Sequence, residues 1–252
     1  MERTQQGPRA RYREQTRAEI KDVALRQLAE GGGALALTRI AKEMGLSGPA
    51  LYRYFANRDD LLNALIRDAY DDAATAMARA AARSTRDAHG TRARLHDLAE
   101  AYRAWAIAEP HRYLLIQGAP VPGHVAPADT LERARAVLGP FLPLFAAGEP
   151  GAAVATTVDE MTAWLAADAS VGAWVARYAP EATGAPSSAD GTTTAAGDVR
   201  AASALAGAVL AWAQLHGSVS LEVAGQFAGM AHQGATLLGA QMELLADAFG
   251  LE

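Results

Sequence analysis

Residues 37–62 read LTRIAKEMGLSGPALYRYFANRDDLL. Ile40, Ala41 and Met44 fall on one face of a short helix, and Leu46 sits in the turn after it. Gly45 lets the chain turn sharply there. Leu51 and Phe55 are four apart on a second helix over 48–55 and point the same way. These apolar groups suit packing on Val23, Ala24 and Leu28 of a preceding helix over 10–31. Two short helices on a tight glycine turn, packed on a third, form a helix-turn-helix. Thr38 and Ser47 are good N-caps, with Pro49 in the first turn after Ser47.

Outside that apolar seam the stretch has the composition that duplex reading needs. Gly48, Pro49 and Ala50 are small enough to let a helix approach base edges in the major groove. Thr38 and Ser47 hydroxyls, Tyr52 and Tyr54 phenols, and Arg39 and Arg58 guanidiniums are donors for flanking phosphates. Arg53 is the candidate for a bidentate pair with guanine. The competing reading is a structural helix-turn-helix with solvated tyrosines and arginines.

Charge is distributed in the same sense. The whole chain carries 23 Lys+Arg against 28 Asp+Glu, yet residues 1–58 are net basic. A basic head on an acidic body suits a polyanionic partner for the head alone. The chain has no cysteine, which excludes disulfides, thiolate metal sites and cysteine nucleophiles. Neither a secretory h-region nor an apolar run of membrane-spanning length is expected, so the expected setting is the cytoplasm without membrane association.

The stretch LTRIAKEMGLSGPALYRYFANRDDLLNALI resembles the DNA-binding domain of the TetR family of bacterial transcriptional repressors, over roughly residues 13–70. By that resemblance Thr38 and Arg39 meet the DNA backbone. Gly48, Pro49, Ala50, Tyr52, Arg53 and Tyr54 lie on the recognition helix. Arg58 stands where the family usually has a phosphate-touching lysine, a change that keeps charge and alters geometry. The fourth helix, from Asp59 to about Arg83, would link head to body.

The rest of the chain reads as helix too, near 59–84, 91–109, 111–117, 129–147, 151–178, 199–226 and 233–249, so the fold class is all-α. Residues 10–70 are the expected helix-turn-helix domain and 71–252 a larger helical effector-binding and dimerisation domain. The Pro/Gly-rich stretch 117–130 is expected to be a loop. So is 180–198, which lacks large apolar residues and should be mobile. No catalytic constellation, metal set or phosphate loop is present in the pattern, and no cofactor is expected. An all-α enzyme for a hydrophobic substrate and an interaction module without DNA function are the alternatives.

Two features suggest partners for the body. Leu205, Val209, Trp212 and His216 recur at spacings of three and four, as do Leu238, Met242 and Leu245. Such seams favour helices crossing at about 20°. They are the expected interface of a homodimer, since one short recognition helix spans too few base pairs. The segment WAQLHGSVSLE (212–222) resembles a Trp-His-Gly subgroup of the family, but Leu215 replaces the tryptophan beside the histidine. The resemblance also implies a pocket for a small-molecule effector of unknown identity. Trp105, His111, Tyr113, Met161, Trp164 and Trp174 are its candidate lining.

Overall fold

The computed structural model describes residues 7–30, 35–118, 127, 129–183 and 195–252. Among the described residues all regular structure is helical. The chain forms two compact units, residues 1–69 with 109–130 and residues 70–108 with 131–252. The first unit takes in residues 109–130, which the sequence reading placed with the body.

In the first unit, α1 (Pro8–Glu30), α2 (Leu37–Glu43), α3 (Gly48–Leu51) and the start of α4 (Arg58–Arg86) enclose a small core. Ile20, Ala24, Ile40, Leu51, Phe55 and Leu61 are essentially inaccessible there. Leu28 and Met44 pack at its edge, as does Leu115 of α6 (Pro110–Gln117). Full burial of each large side chain stabilises by roughly 1.5–3 kcal/mol. Lys21 ties α1 to α4 through Asp68 at 2.6 Å.

In the second unit the Ala-rich α11 (Ala195–Val223) is the central helix. Every residue from Ala201 to Ala208 is buried. Around it lie α5 (Thr91–Ala108), α8 (Leu142–Ala146), α9 (Ala155–Ala167) and α12 (Gly234–Ala248). Gly207 makes the α8 crossing close: a Cβ there would fall inside the Phe145 ring. Ser203 donates to the Phe145 carbonyl at 3.0 Å, and Phe249 meets the same ring edge-on at 4.9 Å.

Two expected helices are each broken. The span 129–147 divides into α7 (Thr130–Leu138), a 3₁₀ turn Gly139–Phe141, and α8. Pro140 and Pro143 lack the N–H that a continuous helix requires, and a Cβ at Gly139 would collide with the Tyr178 ring. The span 151–178 divides at Asp168, whose extended backbone ends α9 and whose carboxylate accepts from Ser170 N at 2.8 Å to start α10 (Ala169–Tyr178). Hydrogen bonds from Ser170 hold the Asp168 carboxyl below the usual aspartate range.

Most of the 117–130 and 180–198 stretches lies outside the described residues, as does the glycine run after Glu30. Gly197–Val223 of α11 is long and apolar enough to cross a membrane, contrary to expectation from the sequence. Half of its apolar window is buried in the second unit, where it serves as the core helix.

Candidate nucleic-acid interface

Local capping shapes the reading segment. Ser47 Oγ accepts from Ala50 N at 3.3 Å, as an N-cap should. Thr38 is not a cap: α2 starts at Leu37, after an extended Ala36 without a side-chain bond, so Thr38 lies within the first turn. Gly45 has φ +64°, the left-handed turn between α2 and α3 that side chains oppose. Leu46 N closes that turn on the Ala41 carbonyl at 2.9 Å.

The α-helical part of the reading segment is shorter than the expected 48–55. It covers Gly48–Leu51 and continues as turns through Tyr54. Its inward side is Leu51 and Phe55, at 1% and 0% exposure. Its outward side is Gly48, Pro49, Tyr52 and Arg53, all exposed, with Ala50 and Tyr54 half-buried. Tyr52 is 54% exposed, a large aromatic left in solvent. Thr38, Arg39 and Ser47 are exposed, and Arg58 is half-buried.

Arg39 is occupied by Glu30 at 2.7 Å, with both side chains more than half exposed. An exposed pair of this kind contributes about 0–1 kcal/mol, so exchange for phosphate costs little. Arg58 is only loosely near Asp59, at 3.8 Å. It opens α4 behind a cap that the sequence reading missed. Asp60 N donates to Asn57 Oδ1 at 2.8 Å, and Ala56 N donates to Asp60 Oδ2 at 3.0 Å. The Asn-x-x-Asp spacing is the sequence signal for it.

Also missed were two arginines of α1. Arg17 Nη1 donates to the Tyr54 carbonyl at 2.6 Å, with its guanidinium 4.2 Å over the Phe55 ring. Arg13 Nη2 reaches the Arg53 carbonyl at 3.4 Å. Their four-residue spacing was legible; their docking on the reading segment was not.

The six candidate effector residues are divided between the two units. His111 and Tyr113 belong to the first unit, exposed and fully buried respectively. Trp105 lines a groove of about 340 Å³ between α4 and α5, with Arg79 and Arg83, and donates to Asp72 at 3.1 Å. Trp174 lines a separate cavity of about 260 Å³ between α7 and α10, and donates to the Arg135 carbonyl at 3.1 Å. A third cavity, about 440 Å³, is lined by Leu165, Ala173, Ala176 and Ala201. Met161 and Trp164 line none of these three.

The heptad-like seams turn inward in part. Leu205, Leu238, Met242 and Leu245 are at most 3% exposed within their own subunit, so they do not reach its surface. Trp212 is 37% exposed and stacks on the half-buried His216, with ring centroids 5.7 Å apart. Val209 is half-buried. Leu215, which departs from the Trp-His-Gly pattern, points into the core. The large outward apolar residues of α12 are Leu237 and Leu244, at 36% and 70%.

Comparison with known proteins gives two domain matches. Residues 20–65 match the family described as bacterial regulatory proteins, tetR family, and residues 95–245 match the tetracyclin repressor-like C-terminal domain. HTH-type transcriptional regulators of Mycobacterium tuberculosis (strain H37Rv) and Mycobacterium bovis are each 40% identical over 144 residues, 56% of this chain. The match spans 61% of the length of those relatives. A solved structure of a protein described as regulatory, SCO4313, is 40% identical with a TM-score of 0.71, covering 96% of this chain and all of that one. A protein of unknown function from Rhodococcus sp. RHA1 shares the fold, at 20% identity and a TM-score of 0.59 over 99% of both chains.

Proposed function

The chain belongs to the TetR family of bacterial regulatory proteins, and from that premise we propose that it is a sequence-specific, DNA-binding transcriptional regulator and not an enzyme. The observation that carries this reading is the outward side of the segment after Gly45. Small residues lead it, Tyr52 and Arg53 stand in solvent, and its inner side is fully committed to the core. A solvated aromatic beside an arginine with no ion pair among the described residues has little structural purpose; against a duplex both become contacts.

The protein acts as a homodimer, because so short a reading segment needs a two-fold site for useful affinity. The outward residues of α11 and α12, chiefly Trp212, His216, Leu237 and Leu244, are the interface that this reading favours. It is a repressor released from a palindromic operator when a small molecule biases the second unit toward a different state. The Trp174 and Trp105 cavities are the places for that molecule.

Selection of bound sequences from a random pool of duplexes tests the reading. Recovery of a palindrome is the expected result. Failure of the folded chain to retain any duplex at low ionic strength would overturn it.

A further inference from the structure

Arg9, Arg13 and Arg17 follow one another at four-residue spacing on α1, so they form a stripe along one side of that helix. The inner end of the stripe is fixed. Arg17 sits over Phe55 and donates to Tyr54, and Arg13 reaches the carbonyl of Arg53, the residue expected to read bases. The first turns of α1 therefore lie beside the end of the reading segment.

The charge of this stripe is unopposed. No carboxylate among the described residues pairs with Arg9, Arg13 or Arg17, and the first turn of α1 holds no acidic residue. Some other basic side chains of the head are matched: Lys21 by Asp68, Arg26 by Glu43, Arg39 by Glu30. A guanidinium has five donors, and Arg13 and Arg17 each spend one on the reading segment. A solvated basic arm would satisfy the same charge count. It would give no reason for two of its members to dock on the carbonyls of Arg53 and Tyr54, in the turn that follows the four-residue helix.

We propose that this stripe is a second DNA contact of the head. Arg9 and Arg13 hold backbone phosphates beside the bases that Arg53 faces. Arg17 is a positioning residue that fixes the exit of the reading segment. This rests on the DNA-binding reading above and adds a surface to it.

The test uses the full chain and a fluorescent duplex recovered from the random pool, titrated over a salt series. The double variant Arg9→Ala/Arg13→Ala should bind about tenfold more weakly, lose affinity equally for altered duplexes, and show a salt slope shallower by about 1.8. Arg17→Met keeps the stem over Phe55 but no donor. It should bind about tenfold more weakly and discriminate less between the recovered duplex and one altered under Arg53, with an unchanged slope. Arg17→Gln restores a donor without charge and should return to within about threefold of wild type.

Wild-type slope and affinity in the double variant would overturn the phosphate contact. Wild-type discrimination in a folded Arg17→Met, or Arg17→Gln no better than Arg17→Met, would overturn the positioning role. If Arg17→Met does not fold, the double variant still decides, because Arg9 and Arg13 are exposed. A wild-type chain that binds no duplex sinks the DNA-binding reading instead.

Discussion

Arg53 is exposed and has no ion pair among the described residues, so its identity answers to what lies outside the chain. Arg53→Ala should leave the melting temperature within error and reduce preference for the recovered site, costing about 1–3 kcal/mol of discrimination. Equilibrium binding to the recovered duplex and to one with the opposed base pair changed checks this. Gly45 is constrained from within. Gly45→Ala has open space for its Cβ but must hold φ +64°, which costs about 1–2 kcal/mol. Chemical denaturation should show that loss without a change in slope. Both residues were legible in the sequence, because a glycine between two short apolar helices has few other uses. Thr38 misled because a good capping residue lay two positions too late: Ala36 adopts the extended backbone that starts α2. The docking of Arg17 was hidden because the carbonyl of Tyr54 belongs to the chain 37 residues on.

Helix periodicity locates elements well and their interruptions poorly. The break at 139–143 comes from Pro140 and Pro143 with the Tyr178 ring over Gly139, and the break at 168 from the extended Asp168 whose carboxylate caps Ser170 N. Close approach has an energetic consequence where α11 crosses α8. Gly207→Ala should destabilise by about 1–3 kcal/mol through overpacking against Phe145, although alanine is the better helix former. Thermal unfolding followed at 222 nm would show the drop. The α4–α5 junction depends on pH. Burial pushes the Asp97 carboxyl up, but hydrogen bonds with Ser84 at 2.5 Å and His89 at 2.7 Å outweigh it and hold the group below the ordinary aspartate range. A depressed folded-state value means that this stabilisation is complete above the unfolded value, about 3.9. It is lost as pH falls through the folded value. Asp97→Asn should therefore lower stability at neutral pH and flatten its decline on the acid side of about pH 4, measured by urea titration at several pH values.

At the scale of the whole molecule, charge and motif suggested a reading unit and a helical unit; the two family matches cover residues 20–65 and 95–245, while the compact units exchange residues 109–130. The sequence could not sort the two apolar seams into core and surface, because a subunit core and a helix-to-helix interface share one periodicity. Burial sorts them: Leu238, Met242 and Leu245 point in, Leu237 and Leu244 point out. On the proposed interface, Leu244→Glu should therefore preserve helicity and give monomers at micromolar concentration where the wild type gives dimers, with at least a tenfold loss of affinity for a palindrome. Sedimentation velocity reads the first outcome and DNA titration the second. The character of α11 has one more consequence. A segment that could pass for a bilayer span must find its place among the other helices before lipid or another nascent chain finds it. Overproduction at high temperature should then favour inclusion bodies and chaperone dependence, and slower translation should raise the yield of native protein.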